Sequence, residues 1–170
     1  MNYFNKIITP NLKGKYVTLS DINLSDKEDY FNLYTDEDLN KYWGYDYKKD
    51  AKNVDADYFY NFQLKLKENR EEYSLAIRLK GKMIGEVVMH NFKENSIEIG
   101  FRIGKNYQKR GYAFDAVKTL INYILITLKP PIITAKCYHD NIASNNLLLK
   151  LGFTKTTSDD TYHYFNYLRK

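Results

Sequence analysis

The cleanest alternation of apolar and polar positions runs over residues 96–103. Ile97, Ile99, Phe101 and Ile103 share one face of that predicted strand, and Glu98, Gly100 and Arg102 share the other. Two further β-type runs, 72–79 and 82–90, flank Lys80-Gly81, a hairpin signal, and Lys93-Glu94-Asn95 makes the next turn. Upstream, residues 15–22 alternate loosely and read as an edge strand. Ser25 or Asp26 is placed to cap a helix through Tyr30, Leu33 and Tyr34. The aromatic turn Lys41-Tyr42-Trp43-Gly44-Tyr45 ends that region, and residues 55–68 carry Tyr58, Phe59, Phe62 and Leu66 at helical spacing.

After the loop 104–110, the pattern predicts a helix over 111–128, stopped by Pro130-Pro131. Residues 132–138 read as a strand and 142–151 as a helix with Gly152 as its stop. Residues 153–157 and 161–168 read as a closing pair of strands. The predicted order is βααβββαβαββ, an α/β fold with a mixed sheet. No repeat or linker interrupts it, so residues 1–170 are expected to form one domain.

Composition narrows the function classes. The chain has 170 residues, 44% hydrophobic and 28% charged, a balance that supports a buried core. Cys137 is the single cysteine, so no internal disulfide forms. The most apolar long segment, 113–128, is interrupted by Asp115, Lys118, Thr119 and Asn122, and no secretory pattern opens the chain. A cytoplasmic protein with no membrane partner is expected. The net charge of +5 attracts polyanions, but the basic residues are scattered apart from Lys105, Lys109 and Arg110. A basic nucleic-acid-binding domain is therefore a rival reading without a recognised motif. His90, His139, His163 and the Asp159-Asp160 pair lack metal-ligand spacing, and no metal is expected.

The most informative segment is Gln108-Lys109-Arg110-Gly111-Tyr112-Ala113, between the alternating strand and a long amphipathic helix. The first turn of a helix carries backbone N–H groups without partners and the positive end of its dipole. A glycine and a small residue let a phosphate approach those groups, and Lys109 and Arg110 add charge. The pattern points to an anion site of a size for a diphosphate, although a glycine at a helix start also serves as a plain tight turn. A P-loop is ruled out because only three residues, not four, lie between Gly100 and Gly104, and Asn106 replaces the Ser or Thr for magnesium. No GxGxxG occurs.

Gln108-x-x-Gly111-x-Ala113 resembles the acetyl-CoA signature of the GNAT acetyltransferase superfamily. Asn141-Ile-Ala-Ser144-Asn145 and Lys150-Leu-Gly152-Phe153 resemble the later helix of its branch of ribosomal-protein N-terminal alanine acetyltransferases. The resemblance covers nearly the whole chain. It implies a mostly antiparallel sheet with helices on both faces and acetyl-CoA as co-substrate. It further implies a small-molecule amine or protein N-terminus as acceptor, and a monomer or homodimer.

In such a family the pantetheine arm lies between two splayed strands. Here it would meet the backbone of Phe101 and Ile103, with the diphosphate on the N–H groups from Lys109 through Arg110, Gly111, Tyr112 and Ala113 to Phe114. Gly100 fits such a close approach, or a plain packing gap. Asn141 would bond the pantetheine arm, and Lys150 would neutralise a phosphate or stand exposed. Glu98 is the candidate general base, its alternative being a salt bridge with Arg102. Ser144 would assist the leaving thiolate, or cap its helix. The tyrosine that many relatives place seven residues after the Asn is Leu148 here, which motivates a further rival: a CoA-binding sensor without turnover. Tyr42, Trp43 and Tyr45 are candidates for the acceptor wall, with core packing the alternative for Trp43.

Overall fold

The computed structural model describes residues 3–8, 11–44, 48 and 54–169. Its strands are β1 (Leu12–Lys13), β2 (Thr18–Asp21), β3 (Glu72–Leu79), β4 (Lys82–His90), β5 (Ser96–Ile103), β6 (Ile132–Tyr138), β7 (Thr154–Ser158) and β8 (Tyr162–Leu168). They form one sheet in the order β1-β2-β3-β4-β5-β6-β8-β7. Every neighbouring pair is antiparallel except β5 with β6. The helices are α1 (Lys27–Thr35), α2 (Glu37–Asn40), α3 (Ala56–Glu68), α4 (Tyr112–Tyr123) and α5 (Ile142–Lys150).

Local chemistry accounts for the main turns. Lys80 and Gly81 both take positive φ, 51° and 87°, as a two-residue hairpin turn requires. Asp55 caps α3 by accepting the Tyr58 N–H at 2.8 Å. The helix expected over 111–128 is α-helical to Tyr123 and continues as wider π turns over Ile124–Leu128. The strand expected over 15–22 shortens to β2, which pairs with β1 just ahead of it in a short hairpin. Its bend is held by Asp115, whose carboxylate accepts the N–H groups of Lys15 (2.9 Å), Tyr16 (2.7 Å) and Val17 (3.1 Å). Those amides are thereby drawn out of the ladder. Gly14 fits the same bend, since a Cβ there would come within 2.6 Å of Asp115 Oδ2. The short helix α2 was not predicted.

The sheet separates two apolar clusters. On one face α4 lays Ala116, Val117 and Leu120 over Val87, Ile97, Ile99 and Ile103. On the other, Tyr30, Leu33 and Tyr34 of α1 and Phe59 of α3 pack on Ala76 and Met83. Leu120 is fully buried, so its truncation to Ala would cost about 2–5 kcal/mol.

The centre of the sheet is not continuous. β5 pairs with β4 as far as Ile103, and β6 pairs with β8 as far as Tyr138, yet β5 and β6 meet only over Ser96–Glu98 and Ile132–Thr134. Beyond those three pairs the strands part and leave a wedge.

Candidate functional site

The wedge exposes strand backbone. The Arg102 carbonyl points toward β4, where a Cβ on Gly85 would approach it to 2.5 Å, and the Gly104 N–H donates to Ile84 at 2.8 Å. Backbone polar groups alternate sides along a strand, so those of Phe101 and Ile103 face the wedge. The Ile103 carbonyl accepts the Gln108 side-chain amide at 3.2 Å, which ties the following loop to the strand edge.

That loop brings the strand edge to the start of α4. Lys109 and Gly111 have φ of 59° and 81°, which turns the chain sharply into the helix. Gly111 has no capping side chain, and the first helical bond runs from Asp115 N–H to Gly111 C=O at 3.0 Å. The amides of Tyr112, Ala113 and Phe114 precede it and open outward. A Cβ on Gly111 would meet nothing within 4 Å, so the approach to those amides is clear. Lys109 and Arg110 are exposed beside them. A groove of about 460 Å³ joins this helix start to Phe101, Ile103, Asn141 and Ser144.

A second cavity, of about 320 Å³, adjoins that groove and shares Tyr42, Trp43, Phe101, Asn141 and Ser144 with it. Trp43 is half-buried over Gly100, whose Cβ would lie 3.7 Å from the indole. Its other contact is the Arg102 guanidinium, 4.3 Å from the Trp43 ring and 3.9 Å from the Tyr34 ring. Arg102 is buried and ion-paired with Glu86, not with Glu98, so the expected alternative partner of Glu98 is corrected. Glu98 instead accepts the Asn91 side-chain amide at 2.8 Å and lies 3.8 Å from His90 Nε2. Only 16% of its side chain is exposed, and it lines the second cavity.

The helix α5 closes the junction. Asn141, not Ser144, is its cap, accepting the Ser144 N–H at 3.3 Å, so the expected capping alternative for Ser144 is corrected. Ser144 borders both cavities. Lys150 is exposed, with its ammonium 5.1 Å from the Phe114 ring near the helix start. Leu148 is fully buried in the core. Tyr45 lies outside the described residues.

Sequence reasoning missed Glu72, His90, Lys136, Tyr138 and Tyr162, all of which line the second cavity. Tyr138 and Tyr162 pack with tilted rings, centroids 4.6 Å apart, a pairing their positions 24 apart in the chain do not announce. Burial pushes the His90 imidazole below its ordinary range, against the opposing pull of the Glu98 charge. Among the described residues no group of three or more His, Cys, Asp or Glu could hold a metal, and no helix is long and apolar enough to cross a membrane.

Comparison with known proteins places this geometry. A family model described as "Acetyltransferase (GNAT) domain" matches residues 17–154. The chain is 39% identical over 74 residues to an uncharacterized N-acetyltransferase, YjdG, of Bacillus subtilis, a match covering 44% of this chain and 44% of that protein. A GNAT-family acetyltransferase structure from Bacillus anthracis superposes with a TM-score of 0.80 at 19% identity, covering 94% of this chain and 99% of that one. Mycobacterium smegmatis RimJ, solved with CoA-disulfide, gives a TM-score of 0.80 at 14% identity over 94% of this chain and 88% of that one. At such identities the likeness is one of fold, and it does not single out the ribosomal N-terminal branch. With the family model spanning most of the sequence, the chain belongs to the GNAT acetyltransferase family.

Proposed function

We propose that the chain transfers the acetyl group of acetyl-CoA to a primary amine, with the thioester at the wedge and the amine in the second cavity. The observation that carries this reading is the junction itself. A groove running from uncapped helix amides along a free strand edge meets a separate aromatic cavity at Ser144 and Trp43. The helix-start amides and Lys109 and Arg110 suit a diphosphate, and the Phe101 and Ile103 edge suits the amide-bearing pantetheine arm.

An alkylamine of pKa ~10.4 is neutral in only about one molecule per several thousand at pH 7, so a base matters. Glu98 takes the proton as the amine nitrogen attacks the thioester carbon. The oxyanion forms beside the backbone N–H groups of β5 and collapses to amide as the thiolate leaves. A thiolate of pKa ~8.5 needs modest help, for which the Ser144 hydroxyl is placed. Leu148, buried in the core, takes no part. A protein N-terminus is the second reading, favoured by Ser144 at the junction.

Calorimetry tests the donor half. Wild type is expected to bind acetyl-CoA saturably, and Gly111→Glu to lose about 100-fold or more in affinity while keeping its circular dichroism. No binding by folded wild type overturns the reading, and strongly salt-dependent DNA binding in its place restores the nucleic-acid rival. Thiol release with alkylamines and Ala-initiated peptides tests the acceptor half. Binding without turnover on any of them leaves the CoA sensor.

A further inference from the structure

The second cavity carries an unbalanced charge along one row of the sheet. Strand register sets Glu72 of β3 beside His90 of β4, and His90 beside Glu98 of β5, so the three side chains stand on one face. Glu86 and Arg102 are paired on that same face, four residues along their strands from His90 and Glu98. Around the cavity three carboxylates therefore meet the Arg102 guanidinium and the Lys136 ammonium; Arg102 is already engaged by Glu86, Asn40 and two aromatic rings, and Arg78, farther along the same face of β3, by Asp26. Burial and the neighbouring Lys136 charge both oppose protonation of His90. Lys136 itself sits against the Tyr162 ring, 4.9 Å from its centroid.

Glu72 is the carboxylate left over. It accepts a hydrogen bond from Ser74 Oγ at 3.0 Å and makes no ion pair among the described residues. Burial first, and the Glu86 charge second, push its carboxyl up to about 7. A half-buried carboxylate in this condition gains from an arriving cation.

The shape of the site agrees. Leu66, Glu72 and His90 also line a third hollow, with Arg70, Glu71, Asn91 and Phe92, so the second cavity continues past Glu98 and Glu72 to this hollow. Arg70 and Glu71 there offset each other in charge. Adjacent strands are about 4.8 Å apart, which puts Glu98 and Glu72 about 10 Å apart at their backbones. A chain of roughly four to six methylenes spans that interval with a nitrogen at each end.

We propose that the acceptor is a linear alkyl diamine or polyamine, its reacting nitrogen at Glu98 and its second ammonium held by Glu72. The inference rests on the acetyl-transfer reading and adds the substrate class. The neutral reacting nitrogen bonds to the acetyl carbon and gives its proton to Glu98, the carbon–sulfur bond breaks, the departing thiolate takes up that proton to become free thiol, and the second ammonium stays charged throughout.

The test compares 1,5-diaminopentane with pentylamine as acceptors near pH 8, by release of free thiol from acetyl-CoA. Wild type is expected to favour the diamine in kcat/KM by about tenfold or more, chiefly through KM. Glu72→Gln is expected to bring that ratio within about twofold, and Glu72→Asp to restore part of it, with acetyl-CoA affinity by calorimetry verifying the donor groove. Equal use of the two amines by wild type, or a ratio unchanged in Glu72→Gln, overturns the inference and leaves acetyl transfer standing. Acetyl-CoA binding without thiol release from either amine overturns the primary-amine reading and the inference together.

Discussion

The helix-start groove and the aromatic cavity meet at Trp43 and Ser144, yet they are built in opposite ways. The groove is largely backbone: residues 108–114 are contiguous, and its working atoms are amides whose direction follows from one left-handed glycine. The cavity is largely side chain, drawn from α1, α3, α5, the four strands β3 to β6, the Trp43 turn and β8. A backbone site tolerates most side-chain changes so long as the turn survives. A side-chain site can be retuned one residue at a time while the fold is kept. Around one sheet, the first arrangement suits a ligand that stays the same and the second a ligand that varies.

Three substitutions sharpen this contrast. The largest effect is expected in the cavity, where Glu98→Gln should lower the rate about 100-fold near neutrality and recover in alkali, as the amine loses its proton unaided. An unchanged pH–rate profile would remove Glu98 from the role of base. Next, Asp115→Ala leaves three backbone N–H groups without their charged acceptor and should cost about 2–3 kcal/mol of stability, read by urea denaturation. The smallest effect is stabilising. Because the Glu72 carboxyl is raised in the folded chain from its ordinary 4.5 to about 7, its native form holds the proton more tightly than the unfolded chain does. Stability is therefore greatest below the unfolded value and declines as pH rises through 7. Glu72→Gln should remove that decline, a gain on the order of 1–2 kcal/mol after allowing for partial solvent screening, visible as a higher Tm near pH 8 but not near pH 4.

The groove could be read from the chain because its signal is local. The strand 96–103 and the loop 108–113 each declare themselves within one window, and β3, β4, β5 and β6 fall on the residues that alternation predicts. The cavity could not, and its floor shows why. Counting outward from the Lys80-Gly81 turn would set Met89 opposite Glu72. A bulge between Ile77 and Arg78 shifts the register by one, so His90 takes that place and stands on the cavity face. One unannounced extra residue therefore hides the Glu72–His90–Glu98 row. The Glu86–Arg102 pair follows from the unbroken β4–β5 register, but Glu98 is the nearer apparent partner of Arg102 in sequence. Likewise the hairpin of β1 and β2 depends on Asp115, about a hundred residues away, which no local pattern contains.

The Asp115 clamp has a reach beyond the bend it holds. Its carboxylate stands in the first turn of α4, where a bare negative charge would repel an incoming diphosphate. Occupied by the Lys15, Tyr16 and Val17 amides, that charge is muffled by three aligned dipoles from the outer rim of the sheet. On the proposed reading, the N-terminal hairpin thus acts as an electrostatic shield for a diphosphate held at the start of α4. Trimming the chain ahead of residue 18 would unmask the carboxylate, weakening the grip on a polyanion through the field, with every side chain in the groove intact.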